Sequence, residues 1–179
     1  MARTSMGTAH SGVAGNSETN SGRQHLAFTL NGEVFAIEIL QIREIIEFGA
    51  LTEVPMMPDL VRGVINLRGA VVPVVDLNAR FGRSASELCK KSCIVIFDTV
   101  RAGERVELGI LVDAVSEVIK IAPGDIEAPP DFGSVVQREF IRGIGKAGSR
   151  FVILLEPERA LDVQEMAQLC EQRQEAAVA

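Results

Sequence analysis

One string in the sequence matches a nucleotide-binding motif. Residues 143–148 read Gly-Ile-Gly-Lys-Ala-Gly, the G-x-G-x-x-G pattern that cradles dinucleotide phosphates at the start of a helix. The residues Phe151-Val152-Ile153 that follow are aromatic and β-branched, so they predict a strand, which has no helix dipole to hold a pyrophosphate. We therefore interpret the string as a glycine-rich turn and predict that the protein binds no cofactor.

Side chains that could catalyse a reaction or bind a metal are scarce. No histidine follows position 25, and neither a P-loop nor a G-x-S-x-G motif occurs. The carboxylates of Glu44 and Glu47 are expected on a solvated face, where nothing separates an acid from a base. The cysteines and histidines form neither a CxxC pair nor a cluster at metal-ligand spacing: Cys89, Cys93, Cys170, His10 and His25. We predict no catalytic residue, no metal site and no enzyme activity.

Composition and charge exclude two further classes of partner. The 179 residues carry a net charge of -6, whereas phosphate binding needs a face rich in Lys and Arg. Tyr and Trp are both absent, so the usual platforms for base stacking are missing. No apolar stretch is long enough for a membrane span or a signal peptide. We expect a cytoplasmic protein that neither binds nucleic acid nor inserts into the membrane.

Short apolar runs separated by turn residues predict a mostly β fold. Residues 26–37 form two such runs around Asn31-Gly32, a pair that tolerates positive φ and is typical of a β-hairpin. Residues 64–75 form another strand pair around Arg68-Gly69, in which Pro73 indicates a strand edge or a bulge. Four more runs predict strands: Cys93–Phe97, Val106–Val112, Val115–Ile121 and Phe151–Leu155.

The remaining segments are predicted as turns, helices and tails. Residues 39–47 fit a helical period, but their β-branched content favours a short turn followed by a strand. Asp76 is expected to cap a short helical turn that ends near Phe81. Residues 157–171 predict an amphipathic C-terminal helix. Residues 1–24 and 172–179 are expected to be disordered tails, because they offer too little apolar surface to offset the entropy of ordering.

An internal repeat indicates how the strands are organised. Residues 35–46 align with residues 108–119 without a gap, with apolar positions facing apolar ones over most of the length. Two further matches follow in the same order: Pro58-Asp59-Leu60 with Pro130-Asp131-Phe132, and Arg62-Gly63-Val64 with Arg142-Gly143-Ile144. The repeat predicts two small barrels, one mainly from residues 25–80 and the other mainly from residues 92–155, with a terminal strand crossing between them.

Residues 62–77 carry a resemblance to a known family. They read Arg-Gly-Val-Ile-Asn-Leu-Arg-Gly-Ala-Val-Val-Pro-Val-Val-Asp-Leu, which resembles the signature stretch of the CheW family. The resemblance extends over roughly residues 25–170. It implies an all-β domain with short helices, folded as two five-stranded SH3-like β-barrels, in agreement with the repeat.

The resemblance also implies a function. CheW-like proteins are non-catalytic adaptors that join the cytoplasmic tip of methyl-accepting chemoreceptors to the regulatory domain of a CheA-type histidine kinase. Such an adaptor is recruited from the cytoplasm to membrane-associated receptor arrays. Gly63 is implied to hold a structural position beside the kinase contact. The receptor tip is implied to lie in the groove between the barrels, and the positions that match receptor contacts are Ile39, Ile42, Glu44 and Arg68. Val112 is expected to line the same groove.

Each position also has a plainer interpretation. Ile39 and Ile42 could be core residues, and Gly63 could serve only a backbone conformation with positive φ. Arg68 has no evident packing role at a hairpin turn, which leaves partner binding or a structural salt bridge, and we favour partner binding. Two other functions remain open: an adaptor of a different array, controlling twitching or gliding motility or biofilm signalling, and, more remotely, a small β-barrel that binds nucleic acid. Identification of co-purifying partners would separate them.

Overall fold

The described part of the chain is built almost entirely from strands. The computed structural model describes residues 22–49, 51–129 and 138–162, with positions 165 and 168. Within these ranges the strands are β1 (Arg23–Leu30), β2 (Glu33–Glu38), β3 (Ile42–Glu47), β4 (Val61–Leu67), β5 (Ala70–Asp76), β6 (Cys93–Arg101), β7 (Glu104–Val112), β8 (Ala114–Ile121), β9 (Ile126–Glu127), β10 (Ile141–Ala147) and β11 (Arg150–Leu155). The helices are α1 (Leu77–Arg80), α2 (Pro157–Ala160) and three 3₁₀ turns, Ile39–Gln41, Pro123–Asp125 and Arg138–Phe140. The predicted all-β class is confirmed.

The strands form two sheets with the same internal order. Sheet A has six strands in the order β8-β1-β2-β11-β10-β9, and sheet B has five in the order β3-β6-β7-β5-β4. Each sheet contains one parallel pair, β2 with β11 and β5 with β7, while the other pairs are antiparallel. If β9 is left out, the strand orders of the two sheets correspond position by position. The strands β8, β1, β2, β11 and β10 of sheet A correspond in that order to β3, β6, β7, β5 and β4 of sheet B. The two sheets are therefore structural repeats of each other.

The repeated segment is the part of the chain that changes sheets. Residues 35–46 leave sheet A along β2 and enter sheet B as β3, while residues 108–119 leave sheet B along β7 and enter sheet A as β8. Consequently sheet B holds β3 to β7, and sheet A combines β1 and β2 with β8 to β11. This grouping differs from the predicted partition into residues 25–80 and 92–155. The exchange goes further than the single terminal strand expected from the sequence.

Local turn chemistry is observed where the sequence predicted it. Asn31 and Arg68 have φ of 50° and 51°, and each is followed by a glycine that also has positive φ, as in the tight turns that suit a hairpin. Pro73 lies in β5 just before the ladder to β7 begins at Val74, so no strand on that side requires its missing N–H. Asp76 accepts hydrogen bonds from the backbone N–H groups of the first turn of α1, as a helix cap should.

The G-x-G-x-x-G string lies on β10 and the turn that follows it. A Cβ on Gly143 would lie 2.7 Å from Ile126 Cγ2, and a Cβ on Gly145 would lie 2.9 Å from Ile121 Cδ1. These two glycines let β10 pack closely against neighbouring residues. The strand predicted after the string is present as β11.

Both sheets contribute to one central hydrophobic core. Four aromatic rings stack in series, Phe28 on Phe35, Phe35 on Phe81 and Phe81 on Phe140, with centroid separations of 6.2, 5.9 and 6.1 Å. The guanidinium carbon of Arg80 lies 4.4 Å from the centroid of the last ring. Buried residues of β6 and β7 belong to the same cluster. The shared core fixes the two sheets relative to each other.

The ends of the folded part differ from the predicted boundaries. Arg23 already pairs with Ile121 as part of β1, so the expected tail over residues 1–24 is too long by its last two residues, while positions 1–21 lie outside the described residues. The predicted helix over residues 157–171 is interrupted, because α2 ends at Ala160, whose carbonyl accepts a hydrogen bond from Arg80 Nε at 2.8 Å. Residues 172–179 and the repeat match at 130–132 also lie outside the described part.

No helix within the described ranges is both long enough and apolar enough to span a membrane.

Candidate functional site

An exposed ion pair joins the two edge strands of sheet B. Glu44 lies on β3, and Arg68 lies in the turn between β4 and β5. Arg68 Nη2 donates to Glu44 Oε2 at 3.2 Å, and the arginine side chain remains 72% exposed. The turn is held by Asn66, whose side-chain oxygen accepts from the N–H of Gly69 at 2.9 Å. A pair this exposed contributes at most about 1 kcal/mol to stability, so its main structural effect is to orient the arginine.

The same arrangement recurs in sheet A. Glu117, which the repeat aligns with Glu44, lies on β8 and accepts a hydrogen bond from Arg150 at 2.8 Å. Arg150 is the first residue of β11, two positions beyond the turn position equivalent to Arg68. Each barrel therefore carries an arginine–glutamate pair on its surface, and the repeat relates the two glutamates but not the two arginines.

A groove of about 370 Å³ lies beside β3, between sheet B and the start of α2. Leu40, in the 3₁₀ turn before β3, is 87% exposed at its edge. Ile42 lines the groove while also packing against the central core. Val100, from the β6–β7 hairpin, and Pro157, from α2, lie on the other walls. Because α2 directly follows β11 of sheet A, the groove lies between sheet B and an element that continues from sheet A.

Some charged side chains around the groove form ion pairs within the chain and others do not. Arg43 is neutralised within the chain by Asp98 at 3.2 Å and by Glu107 at 2.7 Å. Arg105 and Glu158 also line the groove, and neither makes an ion pair with another described residue. The groove therefore offers a partner an apolar surface beside Arg105 and Glu158, and the two carboxylates at the single charge of Arg43 leave a further negative charge there.

Three of the predicted site residues lie elsewhere. Val112 is fully buried in the central core, so the expectation that it lines the groove is corrected: its side chain faces inward from the end of β7. Ile39 is half-buried in the 3₁₀ turn and does not line the groove. Gly63 is buried in β4 at φ 150°, with the backbone of Thr52 directly over it. Of the predicted receptor contacts, the structure brings Ile42 to the groove and pairs Glu44 with Arg68.

Possible metal ligands and the one buried histidine of the described residues were compared with the site. No three His, Cys, Asp or Glu side chains among these residues are grouped to hold a metal ion. His25 is buried in β1, and its burial lowers its pKa, although the hydrogen bond to the Arg23 carbonyl at 2.9 Å and the charge of Glu38 oppose that change.

Comparison with known proteins identifies the family. A family model described as the CheW-like domain matches residues 24–165. The chain belongs to the CheW-like family. It is 34% identical over 146 residues to the chemotaxis protein CheW of Klebsiella aerogenes, covering 82% of this chain and 86% of that protein. It is 39% identical over 138 residues to the chemotaxis protein CheW of Rhizobium meliloti, covering 77% of this chain and 86% of that protein.

A solved CheW structure shares the fold. The crystal structure of the scaffolding protein TtCheW from Thermoanaerobacter tengcongensis superposes with a TM-score of 0.68 at 32% identity, covering 75% of this chain and 84% of that chain. The predicted family and the two-subdomain β fold are thus confirmed. CheW-like proteins are chemotaxis scaffolds and not enzymes, which agrees with the prediction made from the missing catalytic motifs.

Sequence reasoning did not single out Leu40, which lines the groove. Ile39 and Ile42 belong to a run of apolar residues that fits a helical period and has strand-like composition. Leu40 fits neither pattern, because it lies in the 3₁₀ turn Ile39–Gln41 that precedes β3. The sequence signal that could have identified Leu40 is that a large apolar residue stands at a position that neither the helical nor the strand pattern would bury. Its exposure of 87% makes it the most exposed large apolar side chain among the described residues.

Proposed function

We propose that this CheW-like protein is an adaptor that couples methyl-accepting chemoreceptors to a CheA-type histidine kinase, and that it is recruited from the cytoplasm to membrane-associated receptor arrays. The observation that carries the proposal is the groove at Leu40 and Ile42, next to the oriented Arg68–Glu44 pair. The function needs no catalytic group, because binding two partners at once is sufficient to couple them.

The groove suits the tip of a helical hairpin. A helix that lies in a groove needs apolar seats for its anchoring side chains and charges that fix its register. Leu40 and Ile42 provide the apolar seats, and Arg105 with Glu158 provides charges of both signs. Arg68 presents an exposed guanidinium near the same strand, which can bind a carboxylate of the receptor while Glu44 holds its orientation.

The implied kinase position, Gly63, would act indirectly. It is buried, so no side chain at this position reaches a partner. Its role in our proposal is to let the Leu51–Thr52 segment lie against β4, which fixes the surface that the kinase contacts. A kinase regulatory domain that is itself CheW-like can pair with such a surface through strands of similar shape.

The receptor contact is tested by replacing Arg68 and leaving the fold intact. Arg68→Ala should weaken binding to a purified receptor cytoplasmic domain by about 30-fold, which corresponds to about 2 kcal/mol for an interface arginine. Its unfolding free energy should change by no more than about 0.5–1 kcal/mol, because the ion pair to Glu44 is exposed. Isothermal titration calorimetry and urea denaturation measure the two effects.

Lys146→Ala is the matched control. Lys146 is also a partly exposed cation in a surface ion pair, with Glu127 at 3.1 Å, but it lies on β10 in sheet A. This variant should bind the receptor as the wild type does. Normal receptor binding by Arg68→Ala, or equal losses in both variants, would show that the Arg68 face is not the contact.

A further inference from the structure

A buried arginine connects sheet B to the helix that forms one wall of the groove. Arg80 is the last residue of α1, which directly follows β5 of sheet B, and its side chain is only 5% exposed. Its Nε donates to the carbonyl of Ala160, the last residue of α2, at 2.8 Å. Its Nη2 donates to Glu165 Oε2, beyond the end of α2, at 2.6 Å. One guanidinium therefore holds the end of α2 and a residue that follows it.

The guanidinium is itself fixed by an aromatic ring. Its central carbon lies 4.4 Å from the ring centroid of Phe140, and such a contact is stronger where water is excluded. The carbonyl of Phe140 accepts a hydrogen bond from the N–H of Glu156, the residue that caps the start of α2, at 2.9 Å. Phe140 thus anchors the start of α2 and Arg80 anchors its end, and the two anchors contact each other.

The anchored helix carries groove residues at its start. Pro157 and Glu158 line the groove, and the Ala160 carbonyl that Arg80 binds lies two residues further along α2. A helix of four residues has no stability of its own, so its place depends on the contacts that it makes. Carbonyls at the end of a helix also lack partners within the helix, and Arg80 supplies one. Because Arg80 follows a strand of sheet B, its hydrogen bond ties α2 to the sheet that forms the facing wall.

We propose that Arg80 is a positioning residue of the groove, which sets the separation between α2 and sheet B and thereby the place of Glu158. Arg80 is buried and does not line the groove, so it acts on the receptor only through α2. This inference rests on the proposed function, because it requires the receptor tip to occupy the groove. Without the arginine, the buried side chains of Pro157 and Ala160 still pack, but the polar bond that fixes their distance from sheet B is lost.

The test compares Arg80→Met with a matched control, Arg83→Met. Both arginine side chains are largely buried, at 5% and 12% exposure, and each forms an ion pair with a partly exposed glutamate. The partner of Arg83 is Glu33, the first residue of β2, so this pair does not involve α2. Both variants should unfold at a lower urea concentration than the wild type, because each loses the hydrogen bonds of a buried guanidinium.

Receptor binding should separate the two variants. It is measured by isothermal titration calorimetry with a purified receptor cytoplasmic domain, at a temperature at which all variants are folded. Arg80→Met should bind about tenfold more weakly than the wild type, the size of effect that a residue without direct ligand contact can have. Arg83→Met should bind as the wild type does. Wild-type affinity in Arg80→Met, or equal losses in both variants, would overturn the inference.

A conservative variant and a double variant test the route through α2. Arg80→Lys keeps the charge and one donor but not the fork, so it should bind about threefold more weakly than the wild type, even if Arg80→Met fails to fold. Glu158→Gln should weaken binding by itself but have little further effect when combined with Arg80→Met, or a reduced effect with Arg80→Lys, because the carboxylate is then no longer held at the groove. Independent sites would instead give losses that multiply. Multiplying losses, or wild-type affinity in Arg80→Lys, would contradict the positioning role.

Leu40→Ala distinguishes a failure of this inference from a failure of the proposed function. Leu40 lines the groove and makes the contact that the proposed function requires. If Leu40→Ala weakens receptor binding and Arg80→Met does not, only the role of Arg80 is wrong. If Leu40→Ala binds the receptor as the wild type does, the receptor does not occupy the groove, and both proposals are wrong.

Discussion

Replacing Gly63 by alanine is expected to be far more damaging than an ordinary surface substitution. A Cβ at this position would lie 2.3 Å from the Thr52 carbonyl oxygen and 2.6 Å from Leu51 Cδ2. The carbonyl cannot easily retreat, because Thr52 and Val64 exchange two backbone hydrogen bonds, both of 2.9 Å. The φ of Gly63, 150°, is also one that an L-residue with a side chain rarely adopts.

The cost can be estimated from these two effects. The backbone conformation costs an alanine about 1–3 kcal/mol. Inserting a methyl group where there is no space adds about 1–3 kcal/mol, because the neighbouring backbone must move. The free energy of unfolding should therefore fall by about 2–6 kcal/mol, a large part of the stability of a domain of this size.

Gly69→Ala separates the two effects. Gly69 has φ 86°, but a Cβ there would meet nothing within 4 Å, so this variant carries only the backbone cost, about 1–2 kcal/mol. Urea denaturation of both variants beside the wild type gives the difference by linear extrapolation. If Gly63→Ala were no less stable than Gly69→Ala, the close approach of the Thr52 backbone to β4 would be refuted.

Further predictions concern the groove and the buried histidine. Leu40→Ala should change stability by no more than about 0.5 kcal/mol but weaken receptor binding, whereas Ile42→Ala should also lower stability by about 1–2 kcal/mol, because Ile42 packs against the core. Equal melting temperatures for these two variants would count against that placement. Burial lowers the pKa of His25 below the 6.5 of a free histidine, so the unfolded chain binds the proton more readily and stability should fall as the pH drops below about 6.5. Urea denaturation at about pH 7.5 and about pH 5.5 should show a smaller loss for His25→Gln than for the wild type, and an equal loss would exclude His25 as a cause.

Much of the fold follows from local sequence signals. Asn31-Gly32 and Arg68-Gly69 predicted two hairpin turns, and both are present because few residue pairs adopt positive φ at two successive positions. The capping of α1 by Asp76 and the strand after the glycine-rich string followed from equally local chemistry. These features depend on neighbouring residues, so a single sequence is sufficient to find them.

The exchange of strands between the sheets could not be predicted in this way. Phe35 pairs with Ile153 in a parallel ladder, more than one hundred residues away along the chain, and no turn residue marks such a contact. The repeat showed that two equivalent halves exist. It did not show that residues 35–46 begin in one half and end in the other. The sequence of this segment is equally compatible with β2 and β3 lying in the same barrel.

Only part of the candidate site could be predicted, because some of its features are local in the sequence and others depend on contacts between distant segments. Arg68 was placed correctly on an exposed turn because the turn itself is local, but its pairing with Glu44 depends on closure of the barrel. Val112 was expected at the groove, yet an apolar residue in a β-run gives no sign of which side faces the core. Leu40 was missed because it belongs to neither periodic pattern.

The most direct test of the account is to measure how much CheA-type kinase sediments with membranes that contain chemoreceptors. Without this protein, little kinase should sediment. With the wild-type protein the sedimented kinase should rise with its concentration to saturation, and with Arg68→Ala the curve should shift to higher concentration, while Lys146→Ala follows the wild type. If the wild-type protein leaves the amount of sedimented kinase unchanged although both partners are folded and active, the protein does not couple receptor to kinase, and the central claim is wrong.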